Sequence, residues 1–250
     1  MNQEIFKTYK NIFDKFTINA IWGLMTQKKI EGMESPIKIG KESNVFSGLT
    51  KYDERVALKI YRINAVDFFH MSKYLAMDPK FRPAKQRVQI VNAWARREFT
   101  NLKKAYESGV SVPRPMSVKN NVLVLEFIGQ KFPEHPSAYP LLKEHCENPE
   151  EMYERLIANI ELLYKKARLV HGDLSEFNII NHDGNPVIID LSHAIPSDAP
   201  SADELLKRDV EKIVKFFNKK GLKLDVEEVI NRIKSTRSGT LEVKKPAGGF

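Results

Sequence analysis

The apolar positions along this chain change their period several times. Ile5, Phe6, Tyr9, Ile12, Phe13 and Phe16 recur at three- and four-residue steps, which predicts a helix with one apolar stripe. Thr17 stands where it can cap a second short helix carrying Ile21, Trp22, Leu24 and Met25, so residues 1–33 read as helical. From Ile37 to Tyr61 the pattern switches to short apolar runs broken by small and polar residues, predicting two or three strands. Residues 62–92 read as irregular, with Asp78-Pro79 and Arg82-Pro83 as breakers. A helical period returns over 92–107, with Trp94, Phe99 and Leu102 facing inward. Val112-Pro113-Arg114-Pro115 predicts an extended connector, and Val122 to Gly129 a buried strand running into a hinge. A proline-bearing loop over 130–147 leads to Asn148-Pro149-Glu150-Glu151, the start of a helix whose inner face is Met152, Leu156, Ile160 and Leu163. Ser201-x-x-Glu204 predicts a capping box for a helix carrying Leu205, Leu206, Val210, Ile213, Val214 and Phe217, closed by Gly221. Asp225 opens a last helix over about 226–234, and the tail to Phe250 is basic.

Between the last helices and the rest lies the stretch that organises the chemistry. Leu169-Val170-His171-Gly172-Asp173 and Asn178, followed by Val187-Ile188-Ile189-Asp190, combine two apolar runs with three polar side chains. The spacing His-x-Asp-x-x-x-x-Asn, then an Asp ending a strand, is the phosphotransfer layout of the protein-kinase fold. In that layout Asp173 takes the acceptor's proton, while Asn178 and Asp190 hold the magnesium that bridges the nucleotide phosphates. Singly, each residue has a structural reading: Asp173 caps a turn, Asp190 ends a strand, His171 is a satisfied core histidine. Jointly they agree with one mechanism, because the upstream chain carries its other parts in the right order. Lys59 sits inside the apolar run Val56-Ala57-Leu58-Lys59-Ile60-Tyr61, where a lysine needs a partner unless it lies on an edge strand and its amine reaches water. Glu98, 39 residues further on, is the carboxylate predicted to pair with it; Glu107 is the alternative. The turn Ile39-Gly40-Lys41-Glu42-Ser43-Asn44-Val45 could set backbone N–H groups around phosphates, or be a plain hairpin turn. The backbone at Glu126 and Ile128 would serve the adenine. ATP-binding candidates are therefore Ile39, Gly40, Lys41, Ser43, Asn44, Val45, Lys59, Glu98, Glu126 and Ile128.

Composition narrows the class. The 250 residues contain one cysteine, Cys146, which excludes an intramolecular disulfide and suits a cytoplasmic setting. No apolar run is long enough to span a membrane and no signal-peptide pattern opens the chain. A formal charge of +8 favours polyanionic partners such as nucleotides, RNA or a ribonucleoprotein surface; a solvated basic surface with no dedicated partner is the alternative.

His171-Gly172-Asp173-Leu174-Ser175-Glu176-Phe177-Asn178 with Ile188-Ile189-Asp190 resembles the RIO family of atypical kinases. Gly40-Lys41-Glu42-Ser43-Asn44-Val45 resembles that family's nucleotide loop, although its first subfamily is expected to have alanine at the place of Ser43. Met71 to Leu75, Asp78 to Phe81, Trp94 to Leu102 and Arg208-Asp209-Val210 resemble the first subfamily, which lacks an N-terminal winged helix. The resemblance spans about residues 20–222. It implies an α+β, bilobal protein-kinase-like fold, with a small β-rich N-lobe bearing a glutamate helix and a mainly helical C-lobe, truncated relative to ordinary protein kinases. The expected division is one domain over 1–250: N-terminal helices at 1–33, N-lobe 34–128, C-lobe 129–236 and basic tail 237–250. The resemblance also implies a serine/threonine kinase or an ATPase that forms an aspartyl-phosphate on Asp190. ATP and Mg²⁺ (or Mn²⁺) would be its cofactors and the precursor of the small ribosomal subunit, with its rRNA and proteins, its partner. Gly172 and Ser175 stand where ordinary protein kinases usually carry arginine and lysine, and Leu191-Ser192 replaces Phe-Gly, so the peptide-kinase regulation is expected to be missing. Two other readings share the motif: a small-molecule phosphotransferase of the aminoglycoside or choline kinase kind, and a nucleotide-gated binding protein without turnover.

Overall fold

The strand-forming stretch before Tyr61 folds as three antiparallel strands, β1 (Gly32–Ile39), β2 (Ser43–Leu49) and β3 (Arg55–Tyr61). They belong to a computed structural model that describes residues 13–64, 71, 74, 75, 86–130 and 137–235. Most of the first predicted stripe, most of the irregular stretch 62–92 and the basic tail lie outside these residues. The chain divides into two units, Met1–Phe99 with Pro115–Ser137, and Thr100–Arg114 with Ala138–Phe250.

In the first unit, β4 (Pro115–Lys119) and β5 (Val122–Glu126) complete a five-stranded sheet of order β1-β2-β3-β5-β4. β4 differs from the sequence expectation, which continued the extended connector only to Pro115; the tight turn at Asn120-Asn121, with Asn120 at φ +52°, pairs the two segments. Strand alternation gives the sheet two apolar faces. Phe46, Val56, Leu58, Ile60, Val122 and Val124 cluster with Ile18, Ile21 and Leu24 of α1 (Lys15–Thr26). That helix is capped by Asp14, not by Thr17: the Asp14 carboxylate accepts Thr17 N–H at 2.8 Å and Thr17 Oγ1–H at 2.9 Å. Helical structure also stops short of residue 33, because β1 begins at Gly32. Tyr61 clusters with Met71, Leu75 and with Ile90, Val91, Trp94 and Ala95 of α2 (Arg87–Glu107), which starts five residues earlier than the breaker-based reading.

The second unit holds α3 (Pro149–Lys165), β6 (Leu169–Val170), β7 (Ile179–His182), β8 (Asn185–Ile188), a 3-10 turn Leu191–His193, β9 (Ile195–Pro196), α4 (Ala202–Lys219) and α5 (Val226–Lys234). β7 and β8 form a hairpin, and β6 pairs with β9. α5 packs on both α3 and α4, with Arg232 reaching Glu154 at 2.7 Å and Glu161 at 3.2 Å. Asp225 caps α5 through Glu227 N–H and Glu228 N–H, as the sequence predicts. The capping box at Ser201 does not form: Ser201 lies at φ −92°, ψ 4° and its hydroxyl caps nothing. Asn148 likewise precedes α3 without a side-chain cap, leaving proline at the first turn and Glu150 and Glu151 to favour the N-terminus. Among the described residues no helix is long and apolar enough to cross a membrane.

Candidate active site

Lys59 lies on β3, between β2 and β5, so it is central and not an edge-strand lysine. It is 7% exposed, and its Nζ donates to Glu98 Oε1 at 2.8 Å. Glu98 is 1% exposed on α2, whereas Glu107, the other candidate, is exposed and sits 3.8 Å from Lys103. The second oxygen of Glu98 accepts the Tyr61 hydroxyl, and Lys59 Nζ lies 5.0 Å over the Tyr61 ring. Two charges removed from water in this way need a close partner and further hydrogen bonds, and both are present.

The other nucleotide candidates are arrayed about this pair by sheet register. Val45 opposes Lys59, Asn44 opposes Ile60, and Ser43 opposes Tyr61. Ile39 pairs with Asn44 across the hairpin and is 64% exposed, and Lys41 in the turn is exposed. The turn is a hairpin turn, closed by Gly40 N–H donating to Ser43 O at 3.0 Å. A Cβ at residue 40 would meet Ser43 O at 2.7 Å, so only glycine allows that closure. Alternation sets Val45 on the Lys59 face and Asn44 on the face toward α1, where Asn44 Oδ1 is buried without a hydrogen bond among the described residues. Glu126 pairs with Val56 at the end of β5, and Ile128 follows, half-buried. All ten of these residues lie in the first unit.

Asp173, Asn178 and Asp190 lie in the second. The loop after β6 is bent at Gly172 (φ +81°), where a Cβ would meet His193 O at 2.8 Å. His171 is a core histidine, 2% exposed: Nε2–H donates to Ile189 O at 3.0 Å, and Nδ1 accepts Asp173 N–H at 3.3 Å. Asn178 Nδ2–H donates to Asp173 O at 2.8 Å, and Ile189 N–H donates to Asn178 O at 3.0 Å. The chain thereby brings Asp173, Asn178 and the residue before Asp190 into one hydrogen-bonded group. Asp190 itself takes φ +64°, ψ +63°, a left-handed conformation that aspartate enters more readily than most residues. Its Oδ1 accepts the hydroxyl of buried Ser192 at 2.7 Å.

Four second-unit residues were assigned no role from sequence. Asp209 of α4, 3% exposed, accepts Gly172 N–H at 2.7 Å and Leu174 N–H at 2.9 Å. Burial pushes its carboxyl above the ordinary 3.8, against the pull of His171, the two backbone donors and Lys212. Arg208 donates to Gly172 O, and Lys212 Nζ lies 2.8 Å from Asp173 Oδ1. Ser192 is the fourth. Asp209 had a readable signal, an acid inside the apolar stripe Leu206, Val210, Ile213; the other three had none, because surface-type residues near a loop carry no period.

The donor set suits a hard cation. Asn178 offers an amide oxygen once its Nδ2 is bound to the loop, Asp190 offers a carboxylate, and phosphate and water oxygens would complete the shell. No cluster of three or more His, Cys, Asp or Glu able to hold a metal occurs among the described residues.

Comparison with known proteins places the chain in a family. Residues 44–229 match the model of the RIO domain. The chain is 43% identical over 221 residues to the RIO-type serine/threonine-protein kinase Rio1 of Haloferax volcanii, covering 88% of this chain and 75% of that one. It is 35% identical to the protein of the same name from Methanocaldococcus jannaschii, covering 92% and 78%. In structure it is similar to the Rio2 kinase–ADP/Mg²⁺–phosphoaspartate complex from Chaetomium thermophilum, with a TM-score of 0.63 and 22% identity over 87% of this chain and 66% of that one. That similarity identifies a protein-kinase-like fold.

Proposed function

Because the chain belongs to the RIO domain family, we propose that it is an ATP-dependent phosphotransferase of the RIO type that uses Mg²⁺. The observation that carries this reading is the hydrogen-bonded group Asp173–Asn178–Ile189, which holds the catalytic loop and the strand leading to Asp190 together. Lys59, oriented by Glu98, is assigned to the α- and β-phosphates, and Gly40 to Val45 to the phosphate loop, with the backbone at Glu126 and Ile128 for the adenine. Asn178 and Asp190 are assigned to the metal, which when bound neutralises phosphate charge. Mn²⁺ could replace Mg²⁺ on the same oxygen donors. In transfer to a hydroxyl, the acceptor oxygen forms a bond to the γ-phosphorus while the bond to the ADP oxygen breaks. The electron pair leaves with ADP, and the acceptor's proton passes to Asp173. The acceptor is a protein serine, water, or Asp190 itself, in which case the phosphoryl bond forms to a carboxylate oxygen and no proton is taken.

The physiological setting we propose is maturation of the small ribosomal subunit in the cytoplasm. The charge of +8 supports a polyanionic partner of that kind. The test is ATP consumption with and without purified small ribosomal subunits, for the native chain, Asp173→Ala and Asp190→Ala. Each variant is expected to lose about 100-fold or more of turnover, and subunits are expected to stimulate the native chain. Unchanged turnover in both variants would remove the site assignment. Stimulation by aminoglycosides or choline but not by ribosomal particles would replace the acceptor class.

A further inference from the structure

Ser175 leaves a chemical gap in the catalytic loop. Ordinary protein kinases usually carry a lysine two residues after the catalytic aspartate, and that position here is a half-buried serine. We infer that Lys212 of α4 fills the gap as a positioning residue, supplying from a distant helix the cation that the loop itself lacks. The inference rests on the phosphotransferase reading above.

Three successive contacts tie α4 to the loop. Arg208 donates to Gly172 O, Asp209 accepts Gly172 N–H and Leu174 N–H, and Lys212 reaches Asp173 Oδ1 at 2.8 Å. Asp209 and Lys212 are three residues apart in a helix, so they share one face and approach the loop together. The first two residues hold backbone, and Asn178 also holds the backbone of Asp173 through its carbonyl. None of these fixes rotation of the Asp173 side chain. Among the described residues, Lys212 is the hydrogen-bond partner of that carboxylate. With Oδ1 held by the ammonium, Oδ2 is the oxygen left to face an acceptor hydroxyl. The ammonium donates only and has no lone pair to take the acceptor's proton, so it orients the base without competing for the proton. Being half-exposed, the pair adds little to folding, which separates its proposed role from a structural one.

The experiment compares native chain, Lys212→Ala, Lys212→Arg and Asp173→Ala for thermal midpoint, ATP affinity by equilibrium titration, and steady-state turnover with small ribosomal subunits. Lys212→Ala is expected to lower kcat about tenfold, as misplacement of a catalytic group does, with ATP affinity and thermal midpoint unchanged. Lys212→Arg is expected to restore turnover to within about threefold of native, because it keeps the cation and two or more donors. If Asp173→Ala loses turnover and Lys212→Ala does not, the role of Lys212 is overturned while the phosphotransfer site stands. A loss in Lys212→Ala matched by a lower thermal midpoint or weaker ATP affinity, or one that Lys212→Arg fails to repair, also overturns it. If Asp173→Ala keeps native turnover, Asp173 is not the base and the proposal falls; the site assignment itself falls only if Asp190→Ala keeps native turnover too.

Discussion

Two lysine–carboxylate pairs of identical length sit in the two units and differ in nearly everything else. Lys59–Glu98 and Lys212–Asp173 both measure 2.8 Å. The side chains of the first are 9% and 1% exposed, and those of the second 37% and 48%. Distance therefore does not rank them; solvent does. The buried pair has lost its hydration and depends on mutual compensation and on the Tyr61 hydroxyl. The half-exposed pair keeps part of its hydration, and its loss should cost the fold little. Where the sheet and the helix hold each lysine sets how much of its water it keeps.

Breaking the buried pair from one side should give the largest effect. Glu98→Ala leaves Lys59 as an uncompensated buried charge and is expected to cost about 3–5 kcal/mol in urea unfolding. The sharper form of this test removes all three polar partners. Lys59→Met with Tyr61→Phe and Glu98→Leu should regain most of that stability while losing phosphate-dependent ATP affinity. If the triple variant were as unstable as Glu98→Ala, the pair would be a stabilising element and the contrast drawn here would fail.

Next in size is Asp209→Ala, which leaves the Gly172 and Leu174 N–H groups buried without their acceptor and should cost about 2–5 kcal/mol by chemical denaturation. A loss below about 1 kcal/mol would mean that water reaches the loop backbone.

The same residue sets a pH dependence. Burial raises the folded-state Asp209 carboxyl above the ordinary 3.8. The folded protein then binds this proton more tightly than the unfolded chain does, so the group's favourable contribution is complete below 3.8 and is lost as pH rises through the folded value. Asp209→Asn removes that term. Over the interval just above 3.8, its stability should climb more steeply with pH than that of the native chain. Unfolding curves collected across the interval decide it, and parallel slopes would count against the burial argument.

Smallest is the stability change in Lys212→Ala, which should be too small to move the thermal midpoint, as for many solvent-accessible ion pairs. Calorimetry showing a much larger loss would make this pair resemble the buried one.

Much of this was legible beforehand because the signals were local. A lysine inside Val56–Tyr61 demanded a partner, and Glu98 was found at 1% exposure on the predicted helix. Five-strand order was not legible: β4 is a short half-buried strand whose identity comes from pairing with β5, and a five-residue segment without alternation carries no strand signal. Capping shows the same limit. Ser201-x-x-Glu204 and Thr17 have the right residue types, yet a cap needs extended backbone at the cap residue, and Ser201 lies at ψ 4° while Asp14 satisfies Thr17. Residue type proposes a cap, and backbone angle decides it.

By itself, the order of residues determined the chemistry available: a lysine strand, a glutamate helix, and the loop carrying Asp173 and Asn178 ahead of Asp190. Spacing along a strand or loop follows from covalent geometry, so a motif written in consecutive residues survives folding. Tertiary structure alone decided what reaches the Asp173 loop from α4. Asp209 reaches the loop from 35 and 37 residues away, and Lys212 from 39. Whether a polar side chain on a helix meets a loop that far off depends on how the helix is rotated against it, and rotation is set by packing of the whole apolar face. No local pattern encodes that, which is why the groups assigned to the chemistry, and Glu98 beside Lys59, could be named from sequence while Arg208 and Lys212 could not.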